Sequence, residues 1–322
     1  MSQGFSSWVA NLLDKFDKRD DDQEQISRAF CPKPPFLLIL PPLQLGDAFL
    51  VFAFAKAFEA SHEARPIVVG SSAQANHRKI AKLFHRSGPR WALLNDEGYQ
   101  RILSAYSDGP YISRCNIRPR VAKVNPPTDG LVVHPGLMLN GVGFQWLNQG
   151  VGLHHVYRRL LSVHQSAKLS APVASIGQEE VALRFKERFA RLSRPPFLLI
   201  PHAKSLDSQK MPWGRIVSGI RKASQAEVIV DSEMPFEGCE TVSIPVDQLI
   251  PVSAHCSAVI GMRSGLMDIL SVTKHRKFVL YPDAYALKLF GLEQEDPSSS
   301  DHLLISNSEF QRFFEAISAT RV

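Results

Sequence analysis

Little in this chain of 322 residues speaks of secretion, disulfides or membrane spans. Cysteine is scarce: Cys31, Cys115, Cys239 and Cys256, with no Cys-x-x-Cys pair. That leaves no legible disulfide framework or zinc site, and free thiols fit a reducing compartment. No apolar run approaches the ~18 residues of a spanning helix. The first residues lack a basic segment followed by an uncharged apolar stretch, so no signal peptide is expected. The expectation is a cytoplasmic protein. Dense basic tracts are missing too. Lys and Arg number 37 against 31 Asp and Glu, a net charge of +6. This moderate excess suits an anionic ligand. Aromatic residues are not interleaved with the charges, which argues against nucleic acid. His154-His155 and Asp20-Asp21-Asp22 lack ligand spacing, so no metal and no resident cofactor is assigned.

What the chain does contain is a statement made twice. Lys33-Pro34-Pro35-Phe36-Leu37-Leu38-Ile39-Leu40-Pro41 returns as Arg194-Pro195-Pro196-Phe197-Leu198-Leu199-Ile200-Pro201. A short apolar run bounded by breakers reads as a buried strand. Each copy leads through a loop into a helical pattern: Ala48 to Ala60 after Gly46-Asp47, and Gly214 to Lys222 after the stretch from His202 to Trp213. Strand, polar loop and helix open a doubly wound α/β domain. The length suits two domains. The fold class expected is therefore α/β, with two Rossmann-like domains facing across a cleft. The chain divides into an amphipathic helix segment over 1–30, an N-terminal domain over 31–175 and a C-terminal domain over 176–322.

The opening segment places Phe5, Trp8, Val9, Leu12, Leu13 and Phe16 on one helical stripe. Such a stripe packs on a domain or lies in a membrane interface as a peripheral contact. Further strands are predicted over 66–71, 91–94 and 131–134, and helices over 74–86, 157–169 and 178–192. The stretch 136–152, rich in Gly and Asn, reads as a long loop. In the second half, strands over 197–201, 227–230, 241–244, 258–260 and 277–281 alternate with helices near 214–224, 247–256 and 265–273. That is the rhythm of a parallel sheet. A last helix spans 308–318, and Ser298-Ser299-Ser300 reads as loop.

Chemistry gathers at strand ends. Gly261-Met262-Arg263-Ser264-Gly265-Leu266-Met267-Asp268 follows a buried strand and opens a helix. Helix-end amides, the small Ser264 and Gly265 and the charge of Arg263 suit a phosphate. The plain alternative is a capped turn, with Ser264 as N-cap and Asp268 in the first turn. His202, Lys204, Ser205, Asp207, Lys210 and Trp213 follow the second repeat. Lys204 and Lys210 suit neutralisation of a diphosphate leaving group, or are solvated surface charges. The matching loop of the first half, Gln44-Leu45-Gly46-Asp47, offers one carboxylate. Asp47 at a strand end can accept a proton from a hydroxyl or cap a helix. His134 and His202 end strands on the cleft side, as catalytic or as structural histidines.

These residues together resemble the two-domain GT-B glycosyltransferases, and most of all the lipopolysaccharide heptosyltransferase group, glycosyltransferase family 9, with its relatives in bacterial surface-polysaccharide and capsule biosynthesis. Leu45-Gly46-Asp47 is similar to the family's N-terminal Gly-Asp motif. Pro201-His202-Ala203-Lys204 through Lys210-Met211-Pro212-Trp213 is similar to the loop opening the donor domain. The segment Gly261 to Asp268 is similar to the Gly-rich donor motif, which in the family carries Asp-Thr-Gly and a following His where this chain has Arg263-Ser264-Gly265 and Asp268. The resemblance implies Asp47 as base. It implies donor contacts from His202, Lys204, Ser205, Lys210, Trp213, Arg263, Ser264, Gly265 and Asp268, and acceptor contacts near Gly46 and His134. The implied partners are a nucleotide-sugar donor, with the sugar unspecified, and a glycan or glycolipid acceptor. The implied reaction is inverting and independent of metal. Two other classes stay open: a non-catalytic binder of an anionic polymer using basic residues over 77–86 with Arg114, Arg118, Arg120 and Lys123, and a nucleotide-sugar epimerase of the same fold.

Overall fold

The structure, a computed structural model, describes residues 36–40, 44–63, 66–86, 88–100, 122–123, 131–133, 143–161, 163–174, 176–203, 206 and 211–320. The expected helix within 1–30 lies outside them, as do Cys31 and Cys115. In the first half, strands β1 (Phe36–Ile39), β2 (Pro66–Ser71), β3 (Arg90–Leu94), β4 (Ala122–Lys123) and β5 (Leu131–Val133) come with helices α1 (Leu45–Ala53), α2 (Ala55–His62), α3 (Ala75–Leu83), α4 (Phe144–Asn148) and α5 (Leu153–Leu160). In the second half, β6 (Phe197–Ile200), β7 (Val228–Asp231), β8 (Glu240–Val242), β9 (Ala258–Met262), β10 (Lys277–Tyr281) and β11 (Ser299–Leu303) alternate with α7 (Trp213–Ser224), α8 (Leu249–Ser253), α9 (Gly265–Leu270), α10 (Ala284–Phe290) and α11 (Asn307–Ser318). Helix α6 (Ile176–Arg188) precedes β6.

Among the described residues the strands form two separate sheets, in the orders β3-β2-β1-β5-β4 and β11-β10-β9-β6-β7-β8. The two copies of the Phe-Leu-Leu-Ile run are central strands of different sheets. All pairings are parallel except β4 on β5, which is antiparallel. Parallel strands are covered on both faces and read as continuous apolar runs. Accordingly β2, β6, β9 and β10 are buried along their whole length.

On one face of the second sheet, Ile216, Val217 and Ile220 of α7 pack with Phe310, Phe313 and Ile317 of α11. On the other, Ala182 and Phe185 of α6 meet Leu249, Val252, Met267, Leu270 and Ala286. Helices on both faces make this half doubly wound. The core of the first half joins Leu38, Leu40, Phe49, Phe52, Val68, Ile80 and Tyr157, and it also takes in Ile269 and Leu289 from the second half. The two halves therefore share apolar contact, with α9 packed on α1 and α10 on α4.

Several local expectations change. The single helix expected over 48–60 is two, because the turn opens at Phe54 (φ −88°, ψ −3°) between α1 and α2. Helix α4 rises inside the stretch expected as loop. The helix expected from 157 begins at Leu153 behind Gly152 and ends at Leu160. Helix α10, started by the Asp283 carboxylate accepting the Ala286 amide at 2.7 Å, is an addition. So is β11, in place of loop over 299–300: Ser-Ser-Asp-His-Leu has no apolar run, but it is an edge strand held by its ladder to β10. The last helix starts at a capping box of Ser306 and Glu309.

Candidate active site

Topology selects the place for chemistry. Numbered from its own first strand, the second sheet has the order 3-2-1-4-5-6, so the winding reverses between β6 and β9. Ligands of such sheets bind beyond the carboxyl ends of the strands at that reversal. Those ends run into Pro201-His202 and Arg263-Ser264. In the first sheet, β1 lies between β2 and β5, and its carboxyl end leads to Leu45-Gly46-Asp47.

The helices that start at these two points touch. A Cβ on Gly265, the first residue of α9, would overlap the Gly46 amide nitrogen and stand 3.0 Å from Leu45 Cβ. A Cβ on Gly46 would overlap an Asp268 carboxylate oxygen and stand 3.1 Å from Gly265 Cα. The close approach that Gly265 permits is thus to Gly46. Ser264 is the N-cap of α9 in extended conformation, and its Oγ is buried without a hydrogen-bond partner among the described residues.

Around this contact lies a buried polar network. Arg263 is 4% exposed. Its Nη2 donates to Asp268 Oδ1 at 2.6 Å, and its Nη1 donates to Asp268 Oδ2 and to the Ser264 carbonyl, both at 2.9 Å. Its Nε donates to the Phe290 carbonyl at 2.8 Å. Asp268 also faces His154 Nε2 at 3.0 Å. Burial pushes the Asp268 carboxyl up, but the Arg263 charge and the His154 hydrogen bond prevail and hold it below the usual carboxylate range. Burial pushes the Arg263 guanidinium down and the Asp268 charge more than reverses this, so it stays protonated.

Asp47 stands in the first turn of α1, behind an N-cap at Gln44. It is half-buried, and its Oδ1 accepts the Tyr157 hydroxyl at 2.8 Å. Its carboxyl is raised from 3.8 to about 6, first by burial and then by the Asp268 charge, against the lowering effects of the Tyr157 hydrogen bond and the Arg263 charge. Burial and the Asp47 charge push the Tyr157 phenol far up, so it remains a donor. Two carboxylates, one from each half, are thereby set apart in proton affinity, an arrangement suited to acid and base roles.

Helix α5 carries side chains that hold a carboxylate of each half. Tyr157 reaches Asp47, and His154, three residues earlier and so on the same helix face, reaches Asp268. On the neighbouring face His155 and Arg158 bind Glu295, with His155 Nδ1 2.9 Å from Oε1 and Arg158 Nη1 donating to Oε2 at 2.8 Å. The Glu295 carboxylate also accepts the His155 backbone amide at 3.2 Å.

Of the residues singled out in the sequence, Gly46, Asp47, Arg263, Ser264, Gly265 and Asp268 come together. Arg263 and Asp268, expected on the donor phosphates, bind each other, the nearest anion to the guanidinium being the carboxylate one turn along its own segment. His202, expected at a strand end, lies two residues beyond β6, exposed, with Nε2 3.3 Å from Ser232 Oγ. Trp213 opens α7, half-buried against the second core. His134, Lys204, Ser205, Asp207 and Lys210 lie outside the described residues. Sequence reasoning missed Tyr157, His154 and Glu295. For His154 and Tyr157 the three-residue spacing on α5 is the available signal, but the helix expected from 157 begins too late to include its first turn; Glu295 carries no such signal. Among the described residues no group of His, Cys, Asp and Glu could hold a metal ion, and no helix is long and apolar enough to cross a membrane.

No protein-family model matches the sequence, and no curated protein matches it. Solved structures do. The glycosyl transferase family 9 protein of Veillonella parvula superposes with a TM-score of 0.55 at 10% identity, over 89% of this chain and 92% of that one. The ADP-heptose lipopolysaccharide heptosyltransferase II of E. coli gives 0.50 at 14% identity, over 88% and 98%. An iron-containing dodecameric glycosyltransferase from enterotoxigenic E. coli gives 0.48 at 15% identity over 78% of this chain, which spans only 58% of that protein's length. At such identities the first two likenesses establish architecture, and that architecture is the one its strand order and its paired sheets describe: the chain has the two-domain GT-B fold of the family 9 glycosyltransferases.

Proposed function

We propose that the protein is an inverting glycosyltransferase that moves a sugar from a nucleotide-activated donor to a glycan or glycolipid acceptor. The observation that carries this reading is Asp47. It is a half-buried carboxylate beyond the carboxyl end of β1, with a proton affinity near pH 6, where the first half meets the second. A base with a pKa just below the working pH is ionised yet accepts a proton more readily than an ordinary surface carboxylate.

In the reaction, the acceptor hydroxyl gives its proton to Asp47 and its oxygen bonds to the anomeric carbon. The bond from that carbon to the phosphate oxygen breaks, and the nucleotide leaves with the electron pair. The donor nucleotide lies beyond the carboxyl ends of β6 and β9, near His202, Ser264 and Trp213. Lys204 and Lys210 neutralise the leaving phosphates in place of a metal ion. Arg263 and Asp268 form the scaffold beneath.

A thermal-shift screen of UDP, ADP, GDP and CMP tests the reading. A ligand at 100 times its Kd stabilises by about 2.7 kcal/mol, so one of the four should raise the melting temperature by several degrees. The corresponding nucleotide-sugars should then release nucleotide in the presence of acceptor. Indifference to all four would remove the transferase reading. Binding with sugar isomerisation and no acceptor requirement would replace it with an epimerase.

A further inference from the structure

We infer that Tyr157 is a positioning residue for Asp47: its hydroxyl, 2.8 Å from Oδ1, fixes the carboxylate so that Oδ2 is the oxygen left to receive the acceptor proton. The inference rests on Asp47 being the base.

The geometry behind it involves both halves. Tyr157 is fully buried, among the residues that line the core shared by α1 and α5. A buried phenol needs an acceptor for its proton, and here that acceptor is the Asp47 carboxylate. Its neighbour on the same face, His154, is 1% exposed and is tied to Asp268 in the other half at 3.0 Å. Helix α5 is further held by Glu295 at its first turn. The hydroxyl therefore cannot swing freely, and a donor on a fixed element orients a carboxylate more narrowly than water does. The charged and titratable groups facing Asp47 are Tyr157 from α5, and Asp268 and Arg263 from the segment that opens α9. Burial and Asp268 raise its proton affinity, whereas Tyr157 and Arg263 lower it. Among the described residues, Tyr157 is thus the neighbour that both stabilises the charged base and selects one of its oxygens by a direct hydrogen bond.

The role separates from a merely structural one by its effect on titration. A hydrogen bond to the ionised form lowers a carboxyl pKa. Its loss in Tyr157→Phe should raise the Asp47 midpoint by roughly one pH unit. Carbon-13 NMR of carboxyl-labelled aspartate in the ligand-free full chain reads this directly, with the Asp47 resonance assigned by its disappearance in Asp47→Asn. Should Tyr157→Phe fold poorly, a ring-fluorinated tyrosine at position 157 keeps the shape and strengthens the donor. The midpoint should then fall.

The acid limb of turnover, measured as nucleotide release from the nucleotide-sugar selected in the screen, should move with the midpoint, and the rate at neutral pH should drop in Tyr157→Phe by more than the roughly twofold that the smaller ionised fraction alone accounts for. An unmoved midpoint in both variants overturns the inference. So does a moved midpoint with wild-type turnover across the pH range. If instead Asp47→Asn itself turns over normally, the base assignment fails, and that outcome is distinct from a failure of Tyr157 alone.

Discussion

Gly46 and Gly265 bring the two halves of the molecule into backbone contact: a Cβ on Gly46 would stand 3.1 Å from the Cα of Gly265, and one on Gly265 would overlap the Gly46 amide. These are the second residue of α1 and the first of α9. Both helices start where their sheets present carboxyl strand ends, so the contact sets the spacing of Asp47 and Asp268.

Gly265→Ala should therefore destabilise the protein. In an open helix the change from Gly to Ala is favourable by roughly 0.5–1 kcal/mol. Here the nearest atoms are backbone, which cannot turn away as a flexible side chain would. Overpacking typically costs about 1–3 kcal/mol, which reverses the sign. Urea denaturation should show a lower midpoint for Gly265→Ala, while Gly214→Ala, where a Cβ meets open space, should be neutral or slightly stabilising. A Gly265→Ala variant as stable as the parent would mean the helices are not in contact.

Arg263→Ala should act on folding rather than on nucleotide affinity. The guanidinium is tied to both Asp268 oxygens, and its removal leaves a 2% exposed carboxylate with only His154. Breaking a buried pair from one side costs roughly 3–5 kcal/mol. Replacing both members with apolar residues, Arg263→Met with Asp268→Leu, leaves no uncompensated charge. The double variant should be more stable than either single one. A thermodynamic cycle measured by chemical denaturation checks this, and simple additivity of the two changes would contradict the pairing.

Much of this frame is legible in the sequence. The repeated Phe-Leu-Leu-Ile runs are central parallel strands, and a strand buried on both faces must be apolar throughout, so its composition betrays it. Strand β11 escapes because it is an edge strand: Ser-Ser-Asp-His-Leu owes its place to the ladder on β10, a tertiary effect. The site is half legible. Position after a strand marks Asp47 and Arg263. The neighbour that Asp47 finds depends on how α5 packs on α1, and no local pattern encodes that. Arg263 pairs with Asp268 within its own segment, and Tyr157 meets Asp47 across 110 residues of chain.

The raised Asp47 pKa has a signature in stability that needs no substrate. In the folded chain the carboxyl titrates near 6, against 3.8 as the ordinary value. Between these values the folded state binds more protons than the unfolded state, so stability falls as pH rises through that window. Its contribution is full below about pH 4 and lost above about pH 6. Asp268, held below its ordinary value, acts oppositely and only at lower pH. Asp47→Asn removes the first dependence. Relative to the parent, the variant should gain on the order of 1–3 kcal/mol between pH 4 and pH 7. Parallel stability profiles for the two proteins would show that Asp47 titrates normally.

The same variant decides the chemistry. The rival to a catalytic Asp47 is a helix cap, and the N-cap of α1 is Gln44, with Asp47 inside the first turn. A charge there still favours the helix dipole by about 0.3–1 kcal/mol, so some stabilising role is compatible with the position. Asparagine keeps the shape and can still accept the Tyr157 hydroxyl through its carbonyl oxygen. It cannot take up the proton of an attacking hydroxyl. General base catalysis contributes typically 10²–10⁴-fold. Asp47→Asn should accordingly melt no lower than the parent at pH 7, bind the same nucleotide with unchanged affinity by calorimetry, and release nucleotide from the donor sugar slower by about that factor. Because binding stays level and folding is not weakened, a fall in turnover cannot be ascribed to lost structure. If turnover also stays level, the proton of the acceptor goes elsewhere, and Asp47 is a charge at a helix start that happens to sit where the halves meet.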